Sequence, residues 1–220
     1  PTTMLFCYAL PLRNLYITGR DHKKSWTLSD KELELVKKSQ TFDASALSIE
    51  ELIIELKSWA GYSRGNAAAE LAKRALADPK LKQSLLEKFH KLALDKSAHY
   101  MSRTGAVVVL QKIADESSIE ILVKALTDED TLVKAMAAKG LGAFPRDSVM
   151  PHINTIMDLA VTTIRPTFPL QEGDPLQYAH GHLGKLLFGS WGLLKDNIDG
   201  VDRKKLLAAG RAVGKNPAGG

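Results

Sequence analysis

Residues 103–113 read RTGAVVVLQKI and residues 134–144 read KAMAAKGLGAF. A shift of 31 positions (134 minus 103) sets Arg103 on Lys134, Ala106 on Ala137, Leu110 on Leu141 and Ile113 on Phe144. The same shift carries Ile119, Leu122 and Leu126 onto Met150, Ile153 and Met157. Two apolar helical patterns recurring at a fixed period of about 30 to 40 residues indicate stacked helical hairpins, an all-α solenoid. Such hairpins cannot bury their apolar faces singly, and stacked together they present surfaces more readily than reaction centres.

Working outward, Arg64 in RGNAAAELAKRAL aligns with Arg103 at a spacing of 39 (103 minus 64), with Ala67 on Ala106 and Leu71 on Leu110 but Arg74 on Ile113. A helical face follows at Leu81, Leu85, Leu86, Phe89, Leu92 and Ala93. Ser48 with Glu51, Ser29 with Glu32 and Ser117 with Glu120 each fit a capping box, in which hydroxyl and carboxylate satisfy each other's orphan backbone donors. They predict helices at about 49–60 and 30–39, and one carrying Ile119, Leu122, Val123 and Leu126. Asp128 and Asp130 open the second copy, Pro145 ends it, and Asp147 or Ser148 caps a helix at about 149–161.

The predicted organisation is a non-repeat segment at 1–28, a helical repeat domain at 29–161, a Pro-rich loop at 162–177 and a Gly-rich helical segment at 178–220. In 1–28, LPLRNLYITG has the β-branched and aromatic content of a short extended stretch. The loop follows from Pro166, Pro169, Gly173, Asp174 and Pro175, which a continuous helix does not accommodate. A last short helix is expected at about 202–213. The absence of Met at Pro1 and the run Asn216 to Gly220 suggest a piece of a longer polypeptide.

The 220-residue chain is long enough to bury a sizeable core, and its 45% hydrophobic and 25% charged residues are ordinary for a globular fold. Its formal charge of +5 is compatible with an acidic partner but does not demand nucleic acid. The basic clusters, such as Arg203-Lys204-Lys205, are short and read as solvated helix faces. One cysteine, Cys7 in MLFCYAL, excludes an internal disulfide framework and reads as a buried thiol. No run approaches the roughly 18 apolar residues of a membrane helix. Compartment, whether cytoplasmic or exported, does not follow from these residues.

The pattern resembles HEAT-type repeats, above all the short form found also in phycobilisome lyases. The residues that carry the likeness are Asp128 and Asp130 ahead of the helix, Val133-Lys134, Ala137-Ala138 and Leu141-Gly142; the Lys134 position is usually Arg in that family, as at Arg103. The likeness is clear over 97–161, extends to 49–96, and is absent from 1–28 and 162–220. The whole layout also resembles the repeat-bearing C-terminal region of large bacterial multidomain proteins. The resemblance implies an α-solenoid with non-repeat flanks and a binding role, with a protein partner (another domain or a second subunit), no catalytic site and no cofactor. HEAT-like DNA glycosylases and chromophore lyases supply the enzymatic alternative, and a nucleic-acid binder the third.

Four features compete with a purely structural reading. Gly61-Tyr62-Ser63-Arg64-Gly65 matches the G-x-S-x-G nucleophile elbow, which requires a strand-to-helix turn. Helical residues precede it, so Ser63 is expected to N-cap the next helix, with Gly61 ending the previous one. His180 and His182, near Glu172 and Asp174, could ligate a metal, but a zinc site needs three or four converging ligands. Trp26, Trp59 and Trp191 could stack a base or a sugar; Trp59 shares a helix with Leu52 and Leu56 and reads as core. Arg64, Arg103 and Lys134 form either a basic ladder for an acidic partner or a repeat-to-repeat contact with Asp128 and Asp130, the preferred reading. The candidate binding residues are therefore Arg64, Arg103, Lys134, Trp26, Trp191, His180 and His182, with no catalytic or metal-ligating residue assigned.

Overall fold

The computed structural model describes residues 43–58, 61–163, 175–188, 192–194 and 201–214. Cys7, Trp26, Trp59, Trp191, the stretch LPLRNLYITG, the expected helix at 30–39 and most of the Pro-rich loop lie outside them. All regular structure among the described residues is helical. The chain divides into two compact units, residues 1–71 and 72–220.

In the first unit a 3-10 turn at Ala44–Ala46 leads into α1, Ile49–Glu55. The predicted capping box closes at its start: the Ser48 N–H donates to Glu51 at 2.8 Å and the Glu51 N–H donates to the Ser48 hydroxyl at 3.2 Å. Leu52 and Leu56, one turn apart, are the buried anchors of this stretch. Helix α2, Gly61–Ala77, crosses from one unit into the next. It already includes Ser63 as its third residue, so Ser63 does not cap it and Gly61 begins it rather than ending α1. The chain turns at Leu56 and Lys57, earlier than the expected end of α1 near residue 60.

The second unit continues with α3, Pro79–Leu94, capped by Asp78 and started by a proline whose missing N–H is no loss at the first helical position. Then come α4, Tyr100–Ile113; α5, Ile119–Ala125; and α6, Thr131–Leu141. They are followed by the short α7, Arg146–Val149, and by α8, Ile153–Thr163; α9, Pro175–Phe188; and α10, Arg203–Gly214. Helix α4 packs on α3 and α6, and α6 packs in turn on α5 and α9. Alongside that row, α3 lies against α5 and α8 against α10. The α9–α10 hairpin thus joins the stack even though its sequence lacks the repeat pattern.

Helix α4 is the centre of the unit, because every residue from Met101 to Leu110 is buried. A helix apolar on all sides needs neighbours on all sides, which a stack provides and an isolated hairpin does not. Small residues set the spacing in α6, where Ala135, Ala137, Ala138 and Gly140 are buried. A Cβ at Gly140 would sit 3.3 Å from the Leu122 Cδ1, so α5 packs tightly against α6 where the side chain is missing.

Two predicted caps fail here for a common reason. Asp115, not Ser117, is the cap: it accepts the Ser117 N–H at the start of a 3-10 turn at Glu116–Ser118, and α5 begins behind it at Ile119 without a side-chain cap. Likewise a short helix and a 3-10 turn at Met150–His152 precede α8, while the Ser148 hydroxyl donates to Glu116 at 2.7 Å. Both of these connections wind through a tighter turn before the second helix starts.

Candidate functional site

The recurring basic position is structurally uniform: Arg64, Arg103 and Lys134 are each the fourth residue of their helix. Arg103 shows what that position does. Its side chain is 3% exposed, and its Nε and Nη2 donate to Asp128 Oδ2 and Oδ1, both at 2.8 Å. This parallel two-bond geometry is the strongest form of guanidinium–carboxylate contact. Nη1 donates to the Ala98 carbonyl in the turn entering α4, and Nη2 reaches Glu129 at 3.4 Å.

Asp128 is 4% exposed and lies in the turn that opens the next repeat. Its Oδ1 also accepts the Asp130 N–H at 2.8 Å, and Asp130 caps α6 through the Leu132 and Val133 N–H groups. The hydrogen bond to Asp128 raises the Arg103 pKa above its already high ordinary value, burial opposing and the negative charge of Asp128 adding. Arg103 therefore ties the start of one repeat to the cap of the next. It is the repeat-to-repeat contact, and its charge is not presented to solvent.

Arg64 repeats one part of this arrangement. It is buried, and its Nη1 donates to the Ser58 carbonyl at 2.8 Å, in the turn ahead of its own helix. Lys134 is half-buried. The shift of 31 that places it on Arg103 places Leu159 on Asp128, so the repeat register supplies it no matching carboxylate.

His180 lies in α9, with its side chain outside the described residues. His182 is half-buried, and its pKa is lowered first by burial and then by Lys139 of α6 and Lys185. His90, which shares a 2.9 Å hydrogen bond with the buried Ser118, is also lowered by burial, with Asp115 opposing. Among the described residues, no group of three His, Cys, Asp or Glu side chains could hold a metal ion. No described helix is long and apolar enough to cross a membrane.

A shallow polar depression of about 300 Å³ at the repeat junction is lined by Lys96, Tyr100, Arg103, Glu129 and Asp130. A second open groove, of about 460 Å³, is lined by Phe188, Leu194, Leu206, Leu207, Gly210 and Arg211. Sequence reading missed this groove, because its walls come from two helices and the turn at Leu194, all outside the repeat pattern. The available signal was α10 itself, where Leu206 and Leu207 lie between basic residues.

Residues 86–160 match the family model for HEAT repeats. No curated protein and no solved structure matches the chain. The matched stretch begins within α3, includes the duplicated helices and ends within α8. With its helices stacked in two rows and Arg103 joined to the next repeat through Asp128, the stretch 86–160 consists of HEAT-like repeats, and the described residues form an all-α solenoid of helical hairpins.

Proposed function

We propose that this chain is a protein-interaction or structural scaffold segment that binds another domain or subunit through its repeat surface. The observation that carries the reading is the inward use of the repeat's own charge. Arg103 and Asp128 are consumed in holding successive hairpins together, so the outer helix faces remain as the surface a partner can read. HEAT repeats commonly serve as protein-interaction modules, and their stacking makes broad rather than enclosed surfaces. The 175–214 hairpin belongs to this scaffold, extending the stack beyond the segment that matches the family.

The test is site-specific photo-crosslinking of the chain in its cell of origin. A cross-linker is placed in turn at exposed Lys112, Lys124, Lys139 and Leu207, one position per variant. The expected result is a discrete protein adduct confined to some of these positions. Duplex DNA binding that falls steeply with salt, without any protein adduct, would overturn the scaffold reading.

A further inference from the structure

The α9–α10 hairpin carries a feature that stacking does not explain. Phe188 is 41% exposed and Leu207 is 53% exposed, and both line the 460 Å³ groove together with buried Leu194 and half-buried Leu206. Single exposed apolar residues are common on protein surfaces, but two that share one recess form a docking feature.

Among the described residues of α9 and α10, the charge beside the recess has one sign. On a helix, residues three and four apart are surface neighbours. Leu207 is flanked in this way by Arg203, Lys204 and Arg211, all exposed, and exposed Lys185 stands three residues before Phe188 on α9. Neither α9 nor α10 contains an Asp or Glu. Two carboxylates close to α10, Asp158 and Asp202, are engaged. Asp158 of α8 pairs with Lys205, and Asp202 accepts the Lys204 and Lys205 N–H groups at the start of α10.

We propose that this groove seats an acidic amphipathic helix of a partner protein, with its apolar side chains against Phe188 and Leu207 and its carboxylates on Arg203, Lys204 and Arg211. The inference rests on the interaction-scaffold reading and names the surface and the chemistry of its partner. An apolar stripe laid in a groove, with charges matched at the rim, is an established mode of helix recognition. A phosphate backbone would leave the apolar floor unused. An anionic membrane fits a recessed groove poorly, and α10 has committed its opposite face to protein, with Ala209 fully buried.

The test is selection of random displayed peptides, about 16 residues long or some four helical turns, on the whole immobilised chain. The expected pool is net acidic, with Leu, Ile or Phe at three- and four-residue spacing. Its members lose about tenfold or more in affinity for Leu207→Glu and for Arg203→Glu/Arg211→Glu, and keep it for the exposed control Lys112→Glu. Because Leu207 and the two arginines are exposed, these variants retain the fold, which circular dichroism verifies. An empty, neutral or basic pool, or equal binding to Leu207→Glu, overturns the proposal. So does binding of phosphatidylglycerol vesicles, but no acidic peptide, through the same basic residues. A photo-crosslinked partner that persists on Leu207→Glu, with no acidic peptide selected, sinks the groove and leaves the scaffold reading standing.

Discussion

Replacing Asp128 by alanine removes one carboxylate and strands a guanidinium. In the native structure Arg103 is 3% exposed and donates two 2.8 Å bonds to Asp128, so the truncation leaves it only the Ala98 carbonyl and a longer contact to exposed Glu129. Breaking a buried pair by removing one partner costs about 3–5 kcal/mol, because the remaining charge stays away from water. The lost acceptor for the Asp130 N–H adds about 1 kcal/mol at the α6 cap. Against a total stability of about 5–15 kcal/mol this is a large fraction. For a domain of this size each kcal/mol moves the melting temperature by about 2–4 °C, so the pair alone corresponds to about 6–20 °C. The control is Arg103→Met/Asp128→Leu, which removes both charges and should recover much of the loss, since a buried ion pair adds little over well-packed apolar groups. Urea denaturation of the full chain at neutral pH, followed by circular dichroism, measures all three species in one series. A loss below about 1 kcal/mol for Asp128→Ala, the usual range of a surface pair, would refute the reasoning and return Arg103 to a solvent-facing ladder.

Three further outcomes follow from individual side chains. Ala114 ends α4 at φ 51°, a left-handed conformation that disfavours a Cβ, so Ala114→Gly should raise stability by about 0.5–1 kcal/mol in the same denaturation assay. The Thr104 hydroxyl is fully buried in α4 without a hydrogen-bond partner, so Thr104→Val should stabilise by about 1 kcal/mol, and a destabilised variant would show that the hydroxyl is satisfied. Acidification should weaken the fold in two windows, read from melting temperatures across the pH range. Burial lowers the pKa values of His90 and His182, so each favours its neutral form in the fold. That stability is complete above the unfolded value near 6.5 and is lost as pH falls through the lowered folded values. The hydrogen bond from Lys82, with a further one from Ser117, holds Asp115 down at about 2. Its contribution, below about 1 kcal/mol after solvent screening, is present above pH about 4 and is lost on descent toward 2. His90→Gln should make the first window shallower, leaving the share of His182, and Asp115→Asn should flatten the second.

Much of this architecture was legible because it rests on period and chemistry that are local to the chain. The copies at 103–113 and 134–144 announced α4 and α6, and Asp130 and the Ser48–Glu51 box were readable as caps because each closes within three residues. The same locality explains the misreadings. Ser117 with Glu120 satisfies the capping pattern, yet Asp115 takes the cap because the connection winds as a 3-10 turn before α5. Ser63 satisfies a cap and a nucleophile motif, yet α2 already runs through it from Gly61.

By itself, then, the amino-acid sequence determined that the chain is a stack of α-helices and which residues recur. Helical periodicity and capping are properties of neighbours along the chain. The tertiary structure decided what the recurring charge does, since Arg103 and Asp128 are 25 positions apart and meet only when two hairpins stack. It also decided that α9 and α10 join that stack, and that Phe188 and Leu207 share one basic-rimmed groove. Burial and juxtaposition across helices depend on packing, which no local pattern encodes.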